Sequence, residues 1–190
     1  MLALKELVRQ SPHPTNIDRW DYVDLIFGDS VLMVTDSLNE DHTQIYRPKG
    51  LLLDSVLEVN FFWPLPVHPN KGTASNVINN HDQNVRIWSH VLAIFNEGVD
   101  LVSLQKLVLS GDLPVVSVVA SPASGAQVLL RVEAQSREEW EVQTDKIWKV
   151  FNEHGLSALE KRFQSMAILP GYDHTRPFGL VYLNDRLAMR

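Results

Sequence analysis

His81-Asp82 and Asp173-His174 each set a histidine beside an aspartate, with His90 another imidazole nearby in sequence. Imidazole next to carboxylate is the raw material of a metal site or a proton relay. No two of these histidines have the i, i+4 spacing that sets both ligands of a zinc motif on one helix face, and Asn79-Asn80-His81-Asp82 reads first as a loop. No metal site is therefore expected among them. A serine nucleophile would call for a Gly-x-Ser-x-Gly elbow, and none is present. Residues 121–125 carry one glycine and a proline, far from a phosphate-cradling loop. Cysteine is absent, which excludes disulfides, thiolate zinc sites and a thiol nucleophile, and fits a reducing, cytoplasmic setting.

The chain has 190 residues, enough for one sizeable domain or two small lobes sharing a core. Hydrophobic residues make up 45% and charged residues 21%, so a packed core is expected rather than disorder. The first nine residues, with Lys5 and Glu6 inside the apolar run, read as a short amphipathic helix and not as a signal peptide. No apolar stretch approaches the roughly 20 residues of a membrane span, so no membrane partner is expected. The net charge of −6 repels a phosphate backbone overall, so nucleic-acid binding would need a local basic patch. Arg47, Lys49, Lys71, Arg86, Arg131, Lys161, Arg162 and Arg176 are scattered, and the adjacent pair Lys161-Arg162 reads first as a solvated helix face.

The elements that must position any chemistry follow from periodicity. Residues 1–29 read as largely helical, with Ile17, Trp20, Val23 and Phe27 at helical spacing and Asn16 or Thr15 as N-cap. Val31-Leu32-Met33-Val34-Thr35 reads as a buried strand. Apolar runs over 51–62 end at Trp63-Pro64-Leu65-Pro66, and 67–84 is the longest loop-like stretch. From residue 85 the signals sharpen. Residues 91–95 form a continuous apolar run, Leu101, Leu104, Leu107 and Val108 repeat as a helix that Gly111 stops, and 114–120 is valine-rich. Turn residues at 121–125 lead to a strand over 127–133. Ser136 and Glu139 then form a capping box before a helix lined by Trp140, Ile147, Trp148 and Phe151, which Gly155 ends. The last strand is either 166–169 or 180–183. The expected fold is thus α+β. An N-terminal α+β lobe (1–84) packs on a lobe (85–190) of β-α-β-β-α-β order, ferredoxin- or RRM-like, and the two make one compact unit.

Within 84–171 an ordered set of short motifs stands at consistent spacing. It comprises Asn84-Val85-Arg86, the strand ending at Phe95, the helix with Gln105, and Leu113-Pro114-Val115-Val116-Ser117-Val118-Val119. After these come Ser124-Gly125, Arg131-Val132-Glu133-Ala134, Ser136-Arg137-Glu138-Glu139-Trp140 and Leu169-Pro170-Gly171, with Phe62-Trp63-Pro64-Leu65-Pro66 upstream. This set resembles the catalytic half of the archaeo-eukaryotic primase superfamily, in particular its bacterial and phage primase-polymerase branch. The resemblance covers about half the chain, and its weight lies in the order of the set rather than in any one motif.

The resemblance implies two metal-binding acids at the end of the first strand, because cations bridging triphosphate oxygens need anionic oxygen ligands. Those positions fall on Asn96 and Gly98. Asparagine offers only a neutral carbonyl, and glycine offers no side chain. The motif histidine falls on Gln127, which cannot become cationic. A basic residue is missing before Leu169-Pro170-Gly171, where Ala167 and Ile168 stand. What the resemblance then implies is a degenerate primase-polymerase-like domain that binds or scaffolds in DNA replication of a mobile element. It would need no cofactor, its partner would be single-stranded DNA or a replication protein, and Arg86, Gln127 and Arg131 would be the binding residues. Two alternatives stay open. One is an active primase using Glu97, Asp100 or Glu133 as rearranged ligands for Mg²⁺ or Mn²⁺, although the strand period turns Glu97 to the opposite face unless a bulge intervenes. The other is a protein-interaction domain with no nucleic-acid role. The bland readings are a plain turn at 96–98, a solvated or edge position for Gln127, and simple exposure for Glu133.

Overall fold

Alternation along one long strand organises the molecule. In Gly125–Ala134 (β6), Ala126, Val128, Leu130, Val132 and Ala134 enter one hydrophobic core, while Leu129, flanked by Gln127 and Arg131, faces a second. The computed structural model describes residues 2–35, 44–46, 60–68, 85–121, 125–159, 165–171 and 179–187.

Around β6 lies an antiparallel sheet in the order β4-β6-β5-β8, formed by Trp88–Phe95 (β4), Val115–Ser121 (β5) and Gly179–Leu183 (β8). One face packs Val91, Ala93, Phe95, Val118 and Val128 against Leu104 and Leu107 of Leu101–Ser110 (α3) and Trp140, Ile147 and Phe151 of Arg137–Glu153 (α4). Leu4 and Leu7 of Leu2–Gln10 (α1) close the same core. Beyond the opposite face lie Tyr22, Val23, Ile26 and Phe27 of Arg19–Phe27 (α2), with Leu92, Val116, Val119 and Leu129 from the sheet. A second antiparallel sheet, in the order β2-β1-β3-β7, comprises Leu32–Thr35 (β1), Gln44–Tyr46 (β2), Phe61–Phe62 (β3) and Ala167–Ile168 (β7). The protein is therefore α+β, with two antiparallel four-stranded sheets and four α-helices among the described residues. No helix there is long and apolar enough to cross a membrane.

Both stretches that competed for the last strand are strands, but in different sheets. β7 pairs with β3, and β8 pairs with β5. A crossover from β6 through α4 that returned beside β4 would complete a ferredoxin-like sheet. Here β8 sits at the far edge instead, and at the β4 edge the Leu159 amide donates to the Ile94 carbonyl at 2.7 Å. The boundary at 84/85 is crossed by β7, and the first core takes in Met33, Trp63 and Leu65, so neither core belongs to one half of the chain.

Local chemistry accounts for the element ends. Asp18, rather than Thr15 or Asn16, caps α2, its Oδ1 accepting from the Trp20 amide at 2.7 Å. Ser136 caps α4 as the capping box requires, accepting from the Glu139 amide at 3.3 Å. Glu139 reaches back one residue further than the motif predicts, to the Gln135 amide. Gly111 stops α3 in the left-handed conformation. The 1–29 stretch holds two separate helices, and Ser11 between them ties to β8, its hydroxyl accepting from the Leu183 amide at 2.9 Å. Of the loop-like stretch 67–84 only 67 and 68 lie within the described residues, and most of 51–62 lies outside them.

Candidate functional site

Register along β4 and β6 fixes where each candidate residue stands. Phe95 faces Ala126, Ile94 faces Gln127, His90 faces Arg131 and Trp88 faces Ala134. Asn96, Glu97, Gly98 and Asp100 therefore follow one end of β4, while Arg86 and Glu133 lie toward the other. Seven residues of β6 separate the Ala126 end from Glu133, about 23 Å at 3.3 Å per residue. Acids sharing one hard cation must converge within about 4–5 Å. Glu133 thus cannot complete a cation site with Glu97 or Asp100.

The strand end itself is a turn. The Val99 amide donates to the Asn96 carbonyl at 3.2 Å, and Gly98 takes φ 89°, the left-handed region that suits glycine. Asn96, Glu97 and Gly98 are exposed. Asp100 is engaged as the N-cap of α3. Its Oδ1 accepts from the Val102 amide at 2.9 Å and the Ser103 amide at 3.2 Å, and its Oδ2 from the Ser103 hydroxyl at 2.7 Å. The Ser103 hydroxyl first, then the two amides, hold this carboxyl below its ordinary pKa. Among the described residues no group of three or more histidines and acids is arranged to hold a metal ion. His81-Asp82, Asp173-His174, Lys161-Arg162 and the basic residues Arg47, Lys49, Lys71 and Arg176 lie outside the described residues.

Gln127 departs from the solvated or edge position expected of it. It is buried, and its Oε1 accepts from the Ile168 amide of β7 at 2.8 Å. Position 127 lies on the face covered by the second sheet, so a polar side chain there needs a buried partner, and β7 supplies it. Replacing Gln127 with leucine leaves the Ile168 amide unpaired and is expected to cost about 1–3 kcal/mol in urea unfolding. A Gln127→Leu protein as stable as the parent would show that this tie carries no weight.

One buried polar cluster on this face lies beyond the motif positions. His90 is fully buried near the start of β4, its ring 4.7 Å from that of Phe27 and its Nδ1 2.9 Å from the Ser89 hydroxyl. Its backbone carbonyl accepts from Trp140 Nε1 at 2.7 Å. Burial, with the charge of Arg131 adding to it, pulls the His90 pKa from 6.5 down to about 3, so the ring is neutral at physiological pH. Arg131 is half-buried, and burial lowers its pKa while Glu133 works the other way. His90 Nε2 and Arg131 Nη1 are both buried without a hydrogen-bond partner. Nearby on the same face, the Tyr22 and Ser117 hydroxyls share a buried hydrogen bond of 2.9 Å. The sequence marks His90 only as a histidine; its place inside a valine- and leucine-rich strand was the available signal of burial.

Arg86 is exposed beyond the start of β4, and its amide donates to the Pro66 carbonyl at 2.7 Å. Of the three residues expected to bind nucleic acid, Arg86 offers its side chain to solvent, Arg131 does so in part, and Gln127 is buried.

No family model, curated protein or solved structure matches this chain.

Proposed function

We propose that this chain is a catalytically silent, primase-polymerase-like module that works by binding or scaffolding in DNA replication. The reading begins from the motif order along 84–171. The observation that carries it is the fate of the polar residues at the strand end. Asp100 is engaged in capping α3, Gln127 ties β6 to β7, and Glu133 lies about 23 Å along the strand, as its register requires. Asp100 and Gln127 thus hold the scaffold together, and Glu133 stands too far away to join them. A cation facing a triphosphate demands carboxylates free to converge on it.

The nucleic-acid form of this reading rests on Arg86 and on the exposed part of Arg131. Filter binding to single-stranded DNA across a salt series is expected to give saturable binding near low micromolar concentration at low salt, weakening as salt rises. Arg86→Ala is expected to weaken binding for every sequence and to lower the salt slope by about 1, as loss of one phosphate contact does. Lack of saturable binding at low salt would overturn the nucleic-acid role. It would favour the second reading, a protein-interaction domain, which the net charge of −6 and the covered sheet face support.

A further inference from the structure

We infer that β7 is a self-inhibiting strap. It closes the Gln127 end of a sheet face whose other end, at Arg131, is partly open, and single-stranded DNA occupies the whole face only once β7 has let go. The inference rests on the nucleic-acid reading above and adds a control to it. Gln127, Leu129 and Arg131 share one face of β6 by alternation, and Gln127 stands about 13 Å from Arg131 at 3.3 Å per residue. Arg131 brings a half-buried positive charge to that face, and Gln127 an amide able to donate and to accept. Such a pair suits a phosphate and a base edge.

β7 is the part able to yield. Among the described residues it joins β3 through two residue pairs, Phe61 with Ile168 and Phe62 with Ala167, whereas β5 and β6 pair over six. The Leu169 amide adds one bond, to the Asn60 carbonyl at 2.8 Å. On the side away from β3, the acceptor for the Ile168 amide is a side chain and not a strand, Gln127 Oε1 at 2.8 Å. Pairing this short opens locally at less cost than global unfolding. The latch is also polar. When β7 leaves, water can take the place of the Ile168 amide, so the open form strands no group at 127, where an apolar residue would resist exposure. Ala167 and Leu169, buried in the second core, hold the strap shut in the free protein.

The test follows amide hydrogen exchange in the full chain, with and without a single-stranded DNA oligonucleotide. In the free protein the Ile168 and Leu169 amides are expected to exchange at least about 100-fold faster than that of Val128, and saturating oligonucleotide is expected to speed them further. Ile168→Pro deletes the donor to Gln127 and leaves the Leu169 bond to Asn60, and proline is tolerated where a strand's amide faces away from its ladder. The closed form of this variant leaves the Gln127 oxygen buried without its donor. The open fraction, and with it the apparent affinity in filter binding, is therefore expected to rise about tenfold. Ile168 and Leu169 amides as protected as that of Val128 overturn the strap, as does oligonucleotide that slows their exchange. If the proline variant fails to fold, exchange in the parent chain decides alone. Equal affinity in parent and variant overturns the strap and leaves the nucleic-acid reading standing. Absence of binding by both removes that reading, and the inhibitory role of β7 with it.

Discussion

Gly125→Ala is expected to destabilise the protein by more than about 3 kcal/mol, among the largest costs a single methyl can impose. Gly125 opens β6 at φ 102°, where a residue with a Cβ pays about 1–2 kcal/mol. The added carbon would also lie 2.1 Å from the Phe95 carbonyl oxygen and 2.8 Å from the Asn96 carbonyl carbon. Those are backbone atoms of β4 and the turn after it, so no side chain can swing aside; the β5–β6 hairpin and the end of β4 must separate. Gly111→Ala is the control, because Gly111 has φ 79° with nothing within 4 Å of where a Cβ would stand, and so incurs only the conformational cost. Urea unfolding of both variants checks the claim. A Gly125→Ala protein no less stable than Gly111→Ala would show that the close approach is not real.

Acidification is expected to weaken the fold through His90. Its folded pKa of about 3 lies below the ordinary 6.5, so from pH 6.5 downward the unfolded chain takes up a proton that the folded one refuses. The stability from keeping this ring neutral is complete above pH 6.5 and falls by up to about 1.4 kcal/mol per pH unit until pH approaches 3. Between pH 7 and pH 5 the loss is about 2 kcal/mol, before most carboxylates titrate. His90→Leu removes the titrating group, so the same pH step should cost that variant about 2 kcal/mol less than the parent. Equal losses in parent and variant would mean that His90 is hydrated in the folded protein.

The strands and helices between residues 85 and 155 were legible because each carries a periodic signal with a stop behind it. Gly111 and Gly155 end the two long helices, and Ser136 caps the second as its spacing with Glu139 requires. What escaped was pairing between distant segments. Nothing local in Ala167-Ile168 says that it will join β3 across more than a hundred residues, or that β8 will choose the β5 edge. The cap of α2 was misplaced for a nearer reason. Thr15, Asn16 and Asp18 are all good caps, and only tertiary packing of Tyr22, Val23 and Ile26 selects where the helix starts.

The candidate site was legible in its sequence positions but not in its surroundings. Reading Asn96-Glu97-Gly98 as a turn agrees with its geometry, since asparagine and glycine suit it. Glu133 is exposed, as its place near the end of β6 suggested. Gln127 misled because an uncharged polar residue in a strand usually faces water, whereas here a second sheet covers it. The orphaned nitrogens of His90 and Arg131 belong to a cross-strand register that no linear pattern encodes.

We expect the strand end after Phe95 to be unable to organise cations for nucleotidyl transfer. Primer synthesis with Mn²⁺, nucleoside triphosphates and a single-stranded template decides this, with the parent chain compared with Asp100→Ala and Glu97→Ala. No templated product is expected from any of the three. Product from the parent chain that disappears with either substitution would contradict it, because those acids would then be holding metal.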